Sequence, residues 1–138
     1  MSVTLVDILN INKSWETRHR IRALTVDGKS LARSELDELK RKHPDDYKKL
    51  MNVMRQVGMS QRVRNRNHVK QGKKHKKVFE MRGGQARMFF FYTPDEREIV
   101  VCTNQYLKAK PSIKEQDAAF ELCERLRRLY YQSIGEQP

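Results

Sequence analysis

The sequence predicts an α+β domain in which a strand, a helical hairpin, a three-stranded antiparallel meander and a C-terminal helix pack on one twisted sheet. Three patterns predict it. Residues 18–26 alternate in polarity and end at Asp27-Gly28, and apolar residues recur at helical spacing from Leu31 to Val57. Three short runs rich in β-branched and aromatic residues then follow, separated by Gly83-Gly84 and Thr93-Pro94-Asp95. Both separators are strong turn signals.

Each element has its own warrant. Residues 1–17 carry Leu5, Ile8 and Leu9, which suit a short helix or a loose N-terminal extension. In the first strand Ile21, Ala23 and Thr25 alternate with Arg20, Arg22 and Leu24. A helix follows through Leu31, Glu35, Leu36 and Leu39, with Ser30 as its N-cap and His43-Pro44 as its end. Pro44 fits the first turn of a second helix, where Asp45 and Asp46 suit the positive end of the dipole. Tyr47, Leu50, Met51, Met54 and Val57 form its apolar stripe, and Gly58 stands where a glycine C-cap belongs.

Residues 61–77 are too polar to bury. The runs Val78–Arg82, Arg87–Tyr92 and Ile99–Thr103 make the meander. The last helix starts after Pro111-Ser112, where Ser112 and Glu115 form a capping-box pattern. Ala119, Cys123, Leu126 and Tyr130 give it one apolar face, with Arg125, Arg127 and Arg128 largely elsewhere. The organisation read from this is an extension over 1–17, one domain over 18–134 and a tail over 135–138.

Composition narrows the function. With 138 residues and 38% hydrophobic content the chain suits one modest core. Lys plus Arg number 29 against 17 acids, a formal charge of +12, which argues for a polyanionic partner: nucleic acid, an anionic membrane surface or an acidic protein. No run approaches the roughly 20 apolar residues that span a bilayer. Asp7 and Asn10 interrupt Val3 to Ile11, so no signal-peptide pattern is present and a cytoplasmic location is expected. Cys102 and Cys123 read as buried reduced thiols. His19, His43, His68 and His75 show no metal-ligand spacing, so neither a metal nor another cofactor is expected.

The strongest compositional signal is cationic. Arg62, Arg64, Arg66, Lys70, Lys73, Lys74, Lys76 and Lys77 fall within 17 residues that hold no acid. Such a run can neutralise several phosphates while reading little sequence, or it can be a solvated loop with no dedicated ligand. The cations continue into the sheet: Arg82 closes one predicted strand and Arg87 opens the next, so the Gly83-Gly84 turn brings them together, and Lys108 and Lys110 come after the third strand. An arginine fork grips two phosphate oxygens and keeps its charge as a phosphorane gains negative charge.

The stretch Val78-Phe79-Glu80-Met81-Arg82, then Ala86-Arg87-Met88-Phe89-Phe90-Phe91-Tyr92, resembles the "ElR … yRvfyf" strands of the HigB and phage Gp49-like branch of the RelE/ParE toxins. Ile99-Val100-Val101 and Tyr106-Leu107-Lys108-Ala109-Lys110 are similar to that family's "ivlLhgF.KK", and Glu115 with Ala118-Ala119 to its closing "Ei..A" helix. Asn67-His68-Val69-Lys70-Gln71-Gly72 resembles its "HpLKG" segment. The resemblance covers about residues 20 to 130. The chain departs from the pattern in its N-terminal extension, at Asn104-Gln105, and at Ala109, which splits the lysine pair.

The resemblance implies a RelE-like fold and a metal-independent ribonuclease toxin that acts on messenger RNA at the ribosome and is held inactive by a cognate antitoxin, expected to be a helix-turn-helix protein. The ribose 2′-OH attacks the adjacent phosphate, a basic group assists its deprotonation, arginines steady the transition state, and another group protonates the leaving 5′-oxygen. Carried over, His68 and Lys70 take proton-transfer and phosphate-binding roles, Arg87 and Arg82 the strand cations, Tyr106 and Lys108 the aromatic and basic groups near the third strand's end. Arg62, Arg64, Arg66, Lys73, Lys74, Lys76, Lys77 and Lys110 are candidate RNA contacts. Two other readings stay open: a ParE-like gyrase inhibitor without catalysis, and a basic nucleic-acid-binding module.

Overall fold

Side chains on one strand point alternately to opposite faces, and the central strand of this protein is apolar on nearly every one of them. Ala86–Tyr92 is buried along almost its whole length, which requires cover on both sides of the sheet. The computed structural model describes residues 1–8, 19–59, 68–94, 99–108 and 112–138. These form β1 (Val3–Asp7), β2 (Arg20–Val26), α1 (Leu31–Lys42), α2 (Pro44–Met59), β3 (Val69–Gln71), β4 (Phe79–Gly83), β5 (Ala86–Tyr92), β6 (Ile99–Leu107) and α3 (Ile113–Ser133). The architecture is α+β, with a six-stranded mixed sheet in the order β1-β2-β6-β5-β4-β3. The meander β4-β5-β6 is antiparallel as predicted, whereas β2 runs parallel to β6.

The two faces carry separate cores. Met81, Met88, Phe90, Val100 and Cys102 meet Leu36 and Leu39 of α1 and Leu50, Met54 and Val57 of α2. On the other face Phe89, Phe91 and Val101 meet Phe120, Cys123 and Tyr131 of α3. Ser30 caps α1 by accepting from the Arg33 N–H at 3.2 Å, and Ser112 caps α3 by accepting from the Glu115 N–H at 3.3 Å. Among the described residues, no helix is long and apolar enough to cross a membrane.

Five expectations need correction. The described part of the N-terminal extension is neither helix nor loose: Val3–Asp7 pairs antiparallel with β2, and Ile8 is buried. A short polar-flanked apolar run carries too little periodicity to distinguish a helical turn from an edge strand. Gly58 lies inside α2 and is buried, and its carbonyl accepts from the His19 N–H at 2.8 Å. The second half of the basic run is ordered by backbone pairing: Lys70 sits in β3, and the Gly72 N–H donates to Val78 O at 2.9 Å. Strand β6 runs four residues beyond Thr103 to Leu107. Arg127 is buried on the core side of α3, where it pairs with buried Glu124 at 2.6 Å and lies over the Tyr131 ring.

Two glycines bring α2 against the sheet. A Cβ on Gly83 would stand 2.1 Å from the Leu50 backbone nitrogen, so only a residue without one allows this approach. Gly84 takes φ 56°, the left-handed conformation that closes the turn, and Asp46 accepts from the neighbouring Gln85 N–H at 3.1 Å. Gly83→Ala is therefore expected to destabilise the protein by about 2 kcal/mol or more through overpacking against helix backbone. Urea unfolding checks this; Gly135→Ala, where a Cβ meets no atom but φ is 73°, isolates the backbone cost alone and is expected to shift stability by only about 1 kcal/mol.

Candidate active site

β-Ladder register collects the predicted residues. Arg82 and Arg87 are direct cross-strand partners, and Arg87 in turn faces Tyr106. The Arg82 N–H donates to His68 O at 2.7 Å, carrying the β3–β4 ladder one residue further. His68, Arg82, Arg87 and Tyr106 thus form one row across four strands. Lys70 stands two rows on, opposite Glu80. Lys108 continues β6 on the far side of the row, with its N–H donating to Gln85 O at 2.7 Å.

Their cavities are not all shared. His68, Arg82 and Arg87 line one of about 340 Å³, together with Gly83, Gly84 and Lys49 of α2. Lys70 lines a neighbouring cavity of similar volume between the basic turn and α3, with Lys73, Lys74 and His75 opposite Asp117 and Glu121. Tyr106 stacks on Phe89 at 5.8 Å and borders a smaller space beside Glu35 of α1. Lys108 is half-buried. Lys73, Lys74, Lys76 and Lys77 are exposed on the turn after β3, and Lys77 Nζ donates to Pro138 O at 3.4 Å. Arg62, Arg64, Arg66 and Lys110 lie outside the described residues. A larger cavity of about 780 Å³ opens among β1, β2, α1 and α3, and none of these candidates is among its lining residues.

Neither the family models nor the curated proteins compared with this chain contain a match. The chemistry is read from the side chains themselves.

Glu80 is the residue that sequence reasoning missed. It is fully buried at the foot of the row, where it accepts from Arg82 Nε, and its Oε1 lies 3.9 Å from Arg87 Nε. Gln116 of α3 donates to its Oε2 at 3.1 Å. The signal was present: Glu80 and Arg82 are two apart in a strand, hence on one face, and Glu80 is the acid among otherwise apolar or cationic side chains there. A buried carboxylate persists only where cations and donors balance it.

Arg87 is nearly buried and fixed. Its Nη1 donates to Gly84 O at 2.8 Å and to Ala86 O at 3.0 Å. Burial lowers its guanidinium from the ordinary arginine value, Glu80 opposes that, and Arg82 adds to it. Burial likewise raises the Tyr106 hydroxyl, with Glu80 adding to the effect and the two arginines opposing it. A raised phenol keeps its proton at neutral pH, so the Tyr106 hydroxyl is available as a hydrogen-bond donor and not as a phenolate.

The thiols offer no nucleophile. Burial pushes Cys123 up to about 12, and Cys102 is pushed up by burial as well. The thiolate is the reactive form, so a raised value starves the reaction. Both cysteines are expected to resist alkylation in the folded protein at pH 8 and to react fully in denaturant, as mass spectrometry after iodoacetamide would read out.

Proposed function

We propose that this protein is a metal-independent endoribonuclease toxin resembling the HigB and Gp49-like branch of the RelE superfamily, acting on messenger RNA at the ribosome. The observation that carries the reading is the row of His68, Arg82, Arg87 and Tyr106 across four adjacent strands. A rigid ladder fixes such groups within the tolerance that in-line attack requires.

In this reading the scissile phosphate lies over Arg82 and Arg87 in the cavity they share with His68. The ribose 2′-oxygen forms a bond to phosphorus as the bond to the 5′-oxygen breaks, leaving a 2′,3′-cyclic phosphate and a 5′-hydroxyl. His68 takes the 2′-OH proton, Lys108 or a neighbouring cation supplies one to the departing oxygen, and Lys70 in the adjoining cavity contacts a flanking phosphate. The guanidiniums steady the charge that builds on the non-bridging oxygens. Tyr106 offers a ring on which a base stacks. Lys73, Lys74, Lys76 and Lys77, with Arg62, Arg64, Arg66 and Lys110, track the flanking phosphates and make affinity fall with salt. The cognate antitoxin is a partner that covers these cations with an acidic or helical segment.

Arg87→Ala is expected to slow cleavage by about 10²-fold or more, the scale of losing one transition-state donor. Programmed ribosomes and free RNA, with 5′ ends mapped and folding of the variant checked by circular dichroism, provide the measurement. If neither RNA is cut by the native chain, the enzyme reading is lost.

One observation favours a second reading. Because Arg87 Nη1 is tied to two backbone carbonyls, the cation suits a static platform as well as a reacting one. A gyrase-inhibiting or purely nucleic-acid-binding protein would need no more. Inhibition of supercoiling without RNA cleavage would select the gyrase inhibitor, and RNA binding with neither activity the binding module.

A further inference from the structure

We propose that Glu80 is a positioning residue that aims Arg82 and holds down the charge of the cavity Arg82 shares with Arg87, so that the site takes a singly charged internal phosphodiester in preference to a doubly charged terminal or inorganic phosphate. The substrate part rests on the ribonuclease reading above; the charge part does not.

Four observations carry it. Glu80 has no exposed surface, so it meets no substrate and acts through its neighbours. It faces the Nε side of both guanidiniums: it accepts from Arg82 and so orients that fork, and it lies 3.9 Å from Arg87 Nε, close enough to offset charge without a hydrogen bond, while the Gly84 and Ala86 carbonyls hold Arg87. Its second oxygen accepts from Gln116 of α3 at 3.1 Å, so the carboxylate is itself held in place. Finally, one carboxylate against two guanidiniums cancels half of their charge, while Lys70 opens onto a separate cavity beside α3.

The physical consequence has opposite signs for binding and for rate. An uncompensated arginine pair would attract any phosphate, the dianion most strongly, since attraction scales with the product of charges. Arg82 would also swing more freely, and misplacing a transition-state donor by a fraction of an ångström costs rate. A residue that merely stabilises the fold would weaken both on removal. Removal of Glu80 instead strengthens phosphate binding and slows the reaction.

The test compares the full chain with Glu80→Gln, which keeps the shape and removes the charge. Inorganic phosphate is titrated at pH 8 and low salt by calorimetry, and RNA cleavage is measured separately. Glu80→Gln is expected to bind phosphate about tenfold more tightly, an effect of one nearby charge, while kcat falls about tenfold or more with KM unchanged or lower. Phosphate affinity that stays the same or drops, or a kcat equal to that of the native chain where that chain cuts RNA, overturns the inference. If the native chain cuts no RNA, the ribonuclease reading falls by itself and the phosphate titration still decides the role of Glu80. Should Glu80→Gln not fold, Glu80→Gln/Arg82→Gln removes one charge of each sign. Phosphate affinity within about twofold of native is then expected, and a tenfold loss would refute the charge argument.

Discussion

Between Phe89 and Phe90 the β5–β6 register slips by one residue, and Thr103 is left without a partner across the ladder. Every residue of β6 after that point changes face. Cys102 points to α1 and α2; so does Gln105, three residues on rather than two or four. Tyr106 is thereby turned to the α3 side, beside Arg87, and Leu107 to the helical hairpin. Without the bulge Gln105 would stand opposite Arg87 and end the row, and Tyr106 would face Ala86 on the side of α1 and α2. The extra residue is stabilised locally: Thr103 Oγ1 donates to Asn104 Oδ1 at 2.7 Å, and Asn104 Nδ2 donates to Ala119 O of α3 at 3.1 Å.

The same divergence explains the α1 contact. Pairing of β2 with β6 stops at Ala23 and Cys102, which leaves the Gln105 N–H with no strand partner. Glu35 supplies one, accepting from that N–H at 3.1 Å, while its own carbonyl accepts from the Gln105 side chain at 3.3 Å. Burial raises the Glu35 carboxyl above its ordinary value, with the backbone N–H from Gln105 opposing it. A helix side chain thus does what further pairing with β2 would otherwise have to do.

Much of this was legible in the sequence because it rests on local chemistry. Ser30, Pro44 and Ser112 announce their helices through capping and fixed φ, and Gly83-Gly84 announces its hairpin, so the meander and its arginine pair could be drawn before any coordinates. What stayed hidden depends on contacts far apart in the chain. Val3–Asp7 is a strand because β2 offers an edge, and Val69–Gln71 is one because β4 does. The bulge at Thr103 has no composition of its own. Glu80 and Arg127 break the rule that charged residues stay outside, and each is kept inside by a partner that burial alone cannot reveal: Arg82 for one, Glu124 for the other.

The contact at Gly83 sets how stiff this arrangement is. Helix and sheet packings normally keep a layer of side chains between their backbones, and that layer absorbs small displacements by changing rotamers. Here the α2 backbone at Leu50 rests on the main chain of β4 with no such layer. Asp46 pins the following turn from the same helix. A shift of α2 therefore reaches the hairpin between Arg82 and Arg87 undamped, and the spacing of the two guanidiniums is fixed as much by a helix on the opposite face as by the strands that bear them.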